Sequence, residues 1–370
     1  MSKLRIGIIG CGGIANQKHF PALSQFKEMC EMVAFCDIHI ERAEKAAAEF
    51  GSTDAKVYEN YLELLKDESI DIVHVLTPNV MHSPITVAAF EAGKHVMCEK
   101  PMAHNTEAAA KMMEAWKKSG KKFTVAYQNR FREEVQALYK SCEKEELGDI
   151  YFAKAHAVRR RAVPTWGVFP DKSQQGGGPL IDIGTHALDI TLWLMNNYKP
   201  VSVSGSVFNK LGSLAEATEG NLFGPWDPET FEVEDSAFGY IKMDNGATIF
   251  LESSWALNVL NAKEAATTLC GTKGGAEIIS GMGYKDKELV YNTTHNGRLV
   301  EERRSPVGNI AYFDGSNNSP EVLEAKQWLE AVREDKEPLV KPEEAFVVTK
   351  ILDAIYQSAE TGKEIIFEKE

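Results

Sequence analysis

The sequence predicts two domains of different construction: a doubly wound parallel α/β domain over residues 1–127, then an α+β domain over residues 128–370 with a large, mostly antiparallel open sheet. Three observations carry this. The apolar run Leu4–Gly10 leads directly into the glycine turn Gly10-Cys11-Gly12-Gly13. Strand-like and helix-like segments then alternate as far as Tyr127. Beyond that point, β-rich runs are separated by hairpin signals, Asp244-Asn245-Gly246 and Asn296-Gly297. A chain of 370 residues also exceeds what one hydrophobic core ordinarily organises.

In the first half, Leu4–Gly10 reads as a strand and the helix after it starts near Gly13. Gly10 supplies the backbone angles of the turn, and Gly12 lacks a Cβ, so a phosphate can approach the main chain. Ala15 stands where a third glycine is usual in a dinucleotide-binding turn, and it is still small enough for close helix–strand packing. Glu31–Asp37 is a second strand. Glu41–Phe50 is an alanine-rich helix closed by Gly51, and Tyr58–Leu65 a further short helix. Ile70–Leu76 is a strand, Pro84–Ala92 a helix stopped by Gly93, Lys94–Cys98 a strand, Thr106–Ser119 a helix, and Phe123–Tyr127 the last strand.

Asp37 ends the second strand, where an acid meets the ribose hydroxyls of a dinucleotide and repels a 2′-phosphate. No Arg or Lys stands immediately beside it, and Arg42 reads as a solvated helix residue, so NAD is favoured over NADP. Ligands of such sheets lie beyond the carboxyl ends of the strands. That edge carries Gly10, Gly12, Gly13, Ile14, Asp37, Thr77, Pro78, Asn79, Glu99, Lys100 and Pro101. Lys100 is held between Glu99 and a proline that fixes its own φ, which can aim the lysine at a ligand; a solvated strand-end charge is the competing reading. His74, in mid-strand, reads as a core histidine.

In the second half, Asn129-Arg130-Phe131 leads into a helix over Glu133–Glu145. Ile150–Val158, Val201–Val207, Ser236–Met243, Ala247–Trp255 and Ala265–Cys270 read as strands. Lys210–Glu234 reads as a mobile loop or lid, and Pro320–Glu334 and Glu343–Thr361 as amphipathic helices. Gly176-Gly177-Gly178 opens a helical segment from Leu180 to Met195 in which Asp182 and His186 stand four apart, on one helix face, with Asp189 further along. A carboxylate beside an imidazole sets its tautomer and basicity.

A net charge of −13 argues against nucleic acid and against an anionic membrane surface. No run is long and apolar enough to span a bilayer, and the glycine-rich start is accounted for as a strand rather than a leader. The six cysteines show neither CxxC nor zinc-ligand spacing, so no metal is expected and cytoplasmic, reduced thiols are.

Gly10–Ala15, Thr77-Pro78-Asn79 with His82, Glu99-Lys100-Pro101 and Gly176–Asp189 together resemble the Gfo/Idh/MocA oxidoreductases over essentially the whole length. The resemblance implies a Rossmann first domain holding NAD(P) and a sugar, polyol or glycoside substrate. It implies catalytic roles for Lys100, Asp182 and His186, and homo-oligomers built through the open face of the second sheet. The expected reaction is hydride transfer from a ring hydroxyl carbon of a sugar, glycoside or polyol, with C3 of a pyranoside as a specific case. The nicotinamide is expected between Lys100 and the Asp182/His186 pair, with His186 as base, and Arg130 and Trp166 as further substrate contacts. Two rivals remain at this level: a redox-neutral, glycoside-cleaving enzyme with tightly bound NAD, and a non-catalytic NAD-sensing protein.

Overall fold

A computed structural model describes residues 2–281, 288–304 and 319–368. The chain divides into two compact units, Met1–Phe131 with Asn318–Phe346, and Arg132–Asn317 with Val347–Glu370.

The first unit is built on a six-stranded sheet of β1 (Leu4–Ile9), β2 (Cys30–Cys36), β3 (Lys56–Tyr58), β4 (Ile72–Val75), β5 (His95–Glu99) and β6 (Phe123–Ala126). Their order is β3-β2-β1-β4-β5-β6 and every pairing is parallel. The order reverses between β1 and β4, which opens a crevice at the carboxyl ends of those strands. A π-helical turn, Ala15–His19, runs into α1 (Phe20–Leu23) after the glycine loop. The other connections are α2 (Ile40–Phe50), α3 (Tyr61–Leu65), α4 (Asn79–Glu91) and α5 (Thr106–Ser119). Asn60 and Asn105 cap α3 and α5 by accepting the N–H groups of Leu62 and Ala108, and Gly120, at φ +66°, ends α5.

Two elements differ from expectation. Residues 56–58 form an edge strand too short to show a period, and the helix expected from Tyr58 starts only at Tyr61. Helix α4 begins five residues before Pro84, at Asn79, because tertiary bonds hold its opening turns: the ring of His82 lies on the carbonyls of Thr77 and Pro101, and Ser83 donates to the Ala108 carbonyl.

The second unit has a nine-stranded sheet ordered β14-β13-β12-β11-β7-β10-β9-β8-β15. Its strands are β7 (Ile150–Val158), β8 (Pro200–Phe208), β9 (Ser236–Met243), β10 (Thr248–Ser254), β11 (Ala266–Gly271), β12 (Gly275–Ile279), β13 (Glu288–His295), β14 (Arg298–Arg304) and β15 (Ile365–Ile366). All pairings are antiparallel except β7 with β10. The unit also contains α6 (Glu133–Glu143), α7 (Lys172–Gln175) and α8 (Thr185–Met195), the last entered through a π-helical turn, Leu180–Gly184. The C-terminal segment contributes α9 (Pro320–Arg333) and α10 (Pro342–Thr361). Val322, Ala325, Trp328 and Leu329 of α9 lie in the core of the first unit, against residues of β1, β2 and α1.

Strand side chains alternate between two faces. One face packs on helices: Ala153, Ala155 and Ala157 leave room for α8, and Gly205 and Gly239 for Ile355. The other carries Phe152, Phe208, Phe238, Tyr240 and Phe250, interleaved with Lys154, His156 and Glu252, and no described helix packs on it. The 210–234 segment has only two 3₁₀ turns, yet it is tied down. Asp235 accepts the N–H groups of Lys210, Leu211 and Gly212, Trp226 is buried, and Asn221 bonds both the N–H and the C=O of Val163.

The tightest of these contacts is testable. A Cβ on Gly205 would stand 2.7 Å from the Ile355 carbonyl oxygen and 3.0 Å from its Cα, backbone atoms that cannot turn aside. Gly205→Ala is expected to destabilise the protein by about 1–3 kcal/mol in urea unfolding. Unchanged stability would show that the Ile355 region yields.

Candidate active site

One group of candidate residues lies at the carboxyl edge of the parallel sheet. Gly10 has φ +98°, and a Cβ there would sit 2.5 Å from the Leu76 carbonyl oxygen, so only glycine fits the turn. At Gly12 and Gly13 the reverse holds: a Cβ would meet nothing within 4 Å, so the main chain faces open space. Ile14 beside them is partly exposed. Asp37 is buried with both oxygens engaged, Oδ2 accepting the Cys11 N–H and Oδ1 the His39 N–H, each at 2.9 Å. Its charge therefore holds the glycine loop against β2. Arg42 approaches Asp37 only to 4.0 Å, from an exposed position, a pairing of little energetic weight.

Across the crevice, Thr77 and Pro78 follow β4 and lead into Asn79, which is buried. The Thr77 hydroxyl oxygen is buried without a hydrogen-bond partner among the described residues, so it can receive or donate a bond to a ligand. His82 is buried, with Nδ1 2.7 Å from the Pro101 carbonyl and Nε2 2.9 Å from that of Thr77. It ties the loops after β4 and β5 together rather than opening onto solvent. The open glycine backbone, the orphan hydroxyl and the acid at the end of β2 fit a dinucleotide. Gly10–Ile14 would hold its pyrophosphate and Asp37 its adenosine ribose.

Lys100 follows β5 directly and is partly exposed, and its peptide bond to Pro101 is cis. Behind it lies a buried polar cluster that the sequence does not reveal. Glu99 Oε2 accepts the Lys100 N–H at 3.0 Å, while Oε1 accepts Lys18 Nζ at 2.8 Å and His19 Nε2 at 2.9 Å. Lys18 also reaches Glu324 Oε2 at 3.0 Å and Gln128 Oε1 at 3.3 Å. Because His19 Nε2 donates to a carboxylate, neutral His19 has a bare Nδ1, and His74 Nδ1, 3.2 Å away, must donate to it. His74 Nε2 is then a lone pair in the core, without a partner among the described residues. Burial lowers the basicity of both rings, and most strongly that of His74. Burial by itself would raise the Glu99 carboxyl, but Lys18 and His19 outweigh it and hold Glu99 well below the usual carboxylate range. Glu324 gets less help: burial pushes it up to about 7, against the pull of Lys18.

Arg130, expected to contact substrate, is fully buried in this unit, with its guanidinium on Glu344 at 2.5 Å. The structure thus gives it an interior ion pair rather than a solvent-facing charge.

A second group of candidate residues belongs to the second unit. Of the three glycines before α8, Gly177 and Gly178 are demanded by neighbours and Gly176 has φ +81°. A Cβ on Gly177 would strike the Tyr356 hydroxyl, and one on Gly178 the Glu234 carbonyl. Glu234 is buried and accepts the N–H groups of Gly178 and Leu180 at 2.9 and 3.1 Å and the Tyr356 hydroxyl at 2.8 Å. Burial raises its carboxyl in spite of these donors. A carboxylate here meets the unpaired donors at the start of the helical segment. From Gly177 to Leu194, Asp182 and His186 alone among the described residues are not buried. The pair expected on one face is thus the pair that this segment opens to its surroundings.

One residue that sequence reading did not single out holds Asp182, and Arg159 lies near its charge. Fully buried Trp255 donates its Nε1–H to Asp182 Oδ2 at 3.0 Å. Burial would lower the Arg159 guanidinium, but its two-pronged bond to Glu264 (2.5 and 2.7 Å) and the nearby Asp182 charge raise it. Trp166 is half exposed, edge-on to Phe223 with ring centres 4.7 Å apart, and Phe169 links it to Trp255. The aromatic chain thus runs from an exposed indole to the tryptophan that holds Asp182.

Fold and site define an NAD-binding oxidoreductase. Residues 4–127 match the description "Oxidoreductase family, NAD-binding Rossmann fold", and residues 140–366 match "Oxidoreductase family, C-terminal alpha/beta domain". The chain belongs to the Gfo/Idh/MocA oxidoreductase family, and NAD is its cofactor, as the sequence led us to expect. It is 35% identical over 364 residues to the D-glucoside 3-dehydrogenase of Escherichia coli (strain K12), covering 98% of this chain and 97% of that one. It is 30% identical over 304 residues to the glucose-6-phosphate 3-dehydrogenase of Bacillus subtilis (strain 168), covering 80% and 77%. A solved levoglucosan dehydrogenase in complex with NADH and levoglucosan has the same fold, with TM-score 0.81 at 23% identity over 99% of each chain.

Two outcomes follow. Folded Glu324 keeps a proton that the unfolded chain loses between 4.5 and about 7, so stability falls as pH rises through that window. Glu324→Gln is expected to remove that slope, roughly 2–4 kcal/mol in urea unfolding at pH 5 and pH 8; an identical slope in the variant would place the titration elsewhere. For the cofactor, Asp37→Ala is expected to weaken NAD binding by roughly 10-fold or more and to narrow the preference over NADP. Calorimetric titration with both cofactors measures it, and NADP binding as tight as NAD in the wild type would contradict the role of Asp37.

Proposed function

We propose that this enzyme oxidises a ring hydroxyl of a sugar, glycoside or polyol with NAD, and that C3 of a pyranoside is the carbon oxidised. The observation that carries the reading is that Asp182 and His186 are the open positions of an otherwise buried segment, in a chain whose Lys100 directly follows β5. Support for C3 comes from the two relatives above, whose names both specify a 3-dehydrogenase.

Bound NAD supplies the hydride acceptor. The residues manage the proton and the oxygen. Neutral His186 accepts the hydroxyl proton, and Asp182 orients the ring and stabilises the charge it gains. Trp255 keeps the Asp182 carboxylate in place, and the Lys100 ammonium donates a hydrogen bond to the reacting oxygen as negative charge develops there. Trp166 offers an exposed aromatic face to a sugar ring. The open aromatic face of the nine-stranded sheet serves homo-oligomerisation, since a flat apolar surface of this kind is costly to leave in water. Six free cysteines accord with a cytoplasmic setting.

The test is incubation of purified protein with NAD and a panel of sugars and glycosides, following nicotinamide absorbance and identifying the keto product. A 3-keto sugar and accumulating NADH are expected. Cleavage of a glycoside with no net NADH would instead indicate redox-neutral chemistry, and no turnover of any kind would remove the dehydrogenase reading. His186→Ala is expected to lower oxidation by roughly 10²–10⁴-fold and to abolish the rise of rate with pH that a neutral base requires. Retention of both by a folded variant would mean that the base is another group.

A further inference from the structure

The cluster behind Lys100 is larger than a strand end needs. Lys18 Nζ has three N–H donors and three acceptors in reach, Glu99 at 2.8 Å, Glu324 at 3.0 Å and Gln128 at 3.3 Å. These come from the end of β5, from α9 and from the turn after β6, while Lys18 itself lies on the helical segment that leaves the glycine loop. One ammonium therefore joins the segment beside the pyrophosphate site to the residue before Lys100. Lys18, Glu99 and Glu324 all have side chains about nineteen-twentieths buried. The remaining polar neighbours are His19 and His74, whose basicity burial lowers, and the Lys100 N–H.

Stability does not account for this arrangement. A buried ion pair gains little over apolar residues of the same volume. Glu324 is a second carboxylate on an ammonium whose charge the first already balances, and its Oε1 has no partner among the described residues. What the arrangement does provide is geometry. Both Glu99 oxygens are engaged, so its carboxylate cannot rotate without breaking either the bonds from Lys18 and His19 or the bond from the Lys100 N–H. Glu324 adds the fixed point on α9 that keeps the Lys18 ammonium from turning away from Glu99.

We propose that Glu324, acting through Lys18 and Glu99, is a positioning residue for Lys100. The inference rests on the dehydrogenase reading for its kinetic consequence, but the placement of Lys100 can be measured without turnover. Glu324→Leu removes the outer acceptor and leaves Lys18 paired with Glu99, so the variant retains a neutral buried pair and is expected to fold; a thermal melt checks this. Its kcat is expected to fall roughly 10–100-fold through misplacement of the lysine, with KM and the calorimetric Kd for NADH changed less than about threefold. Glu324→Gln keeps an acceptor for Lys18 and is expected to recover most of that loss, which a merely structural role for Glu324 would not require.

The second readout uses unliganded protein with ¹³C-methylated lysines. The Lys100 resonance, identified by its disappearance in Lys100→Arg, is expected to move in Glu324→Leu and to stay near its wild-type position in Glu324→Gln. An unmoved resonance in folded Glu324→Leu overturns the proposal, as does wild-type kcat. Absence of turnover in the wild type would count against the dehydrogenase reading alone, and the resonance would still decide this one.

Discussion

When β5 packs into the sheet, Glu99 loses its water, and a carboxylate without water must be given donors or give up its charge. Three donors replace the water: the Lys18 ammonium, the His19 ring and the Lys100 N–H. Much of the first unit follows from that exchange. The helical segment after the glycine loop must bring Lys18 and His19 inward, although both are polar and both end up buried. The chain around Lys100 must offer its N–H to the carboxylate. Helix α9 must return from the far end of the sequence to share the ammonium, and it does so with Val322, Trp328 and Leu329 in the same core.

The second unit meets a similar requirement with different parts. Glu234 is buried against the start of the segment that leads into α8, and its donors are the N–H groups of Gly178 and Leu180 and the hydroxyl of Tyr356. The glycines at 177 and 178 are small because Tyr356 and Glu234 occupy the space that side chains would need. In both units a buried glutamate anchors the backbone next to a residue expected to carry chemistry. Glu99 adjoins Lys100, and Glu234 fixes the turn that contains Asp182. The side chains expected to carry chemistry remain partly exposed, while the two glutamates are buried.

Asp37 shows the same economy. Its carboxylate closes the glycine loop through the Cys11 N–H, so the acid expected to meet the ribose also shapes the turn expected to receive the phosphate. Trp255 likewise joins two tasks. It is a core residue in contact with Phe169 and Phe231, and it also donates to the carboxylate of Asp182.

The order of strands and helices in the first half, the glycine turn, the acid at Asp37 and the Asp182–His186 spacing are local in the sequence. Short-range physics decides each: hydrophobic periodicity, the backbone freedom of Gly10 and the pitch of a helix. They suffice for the fold class, the cofactor and the family. Residues 56–58 escaped because three residues show no period, and the first turns of α4 because His82 is held by carbonyls outside its own helix. The sequence alone could not reveal that Glu324 shares an ammonium with Glu99, that Trp255 holds Asp182, that Arg130 is spent on Glu344, or that residues 318–346 join the first unit. Those pairings join residues tens to hundreds of positions apart. Only the burial that accompanies folding gives them energetic meaning, since each partner would be satisfied by water in the unfolded chain.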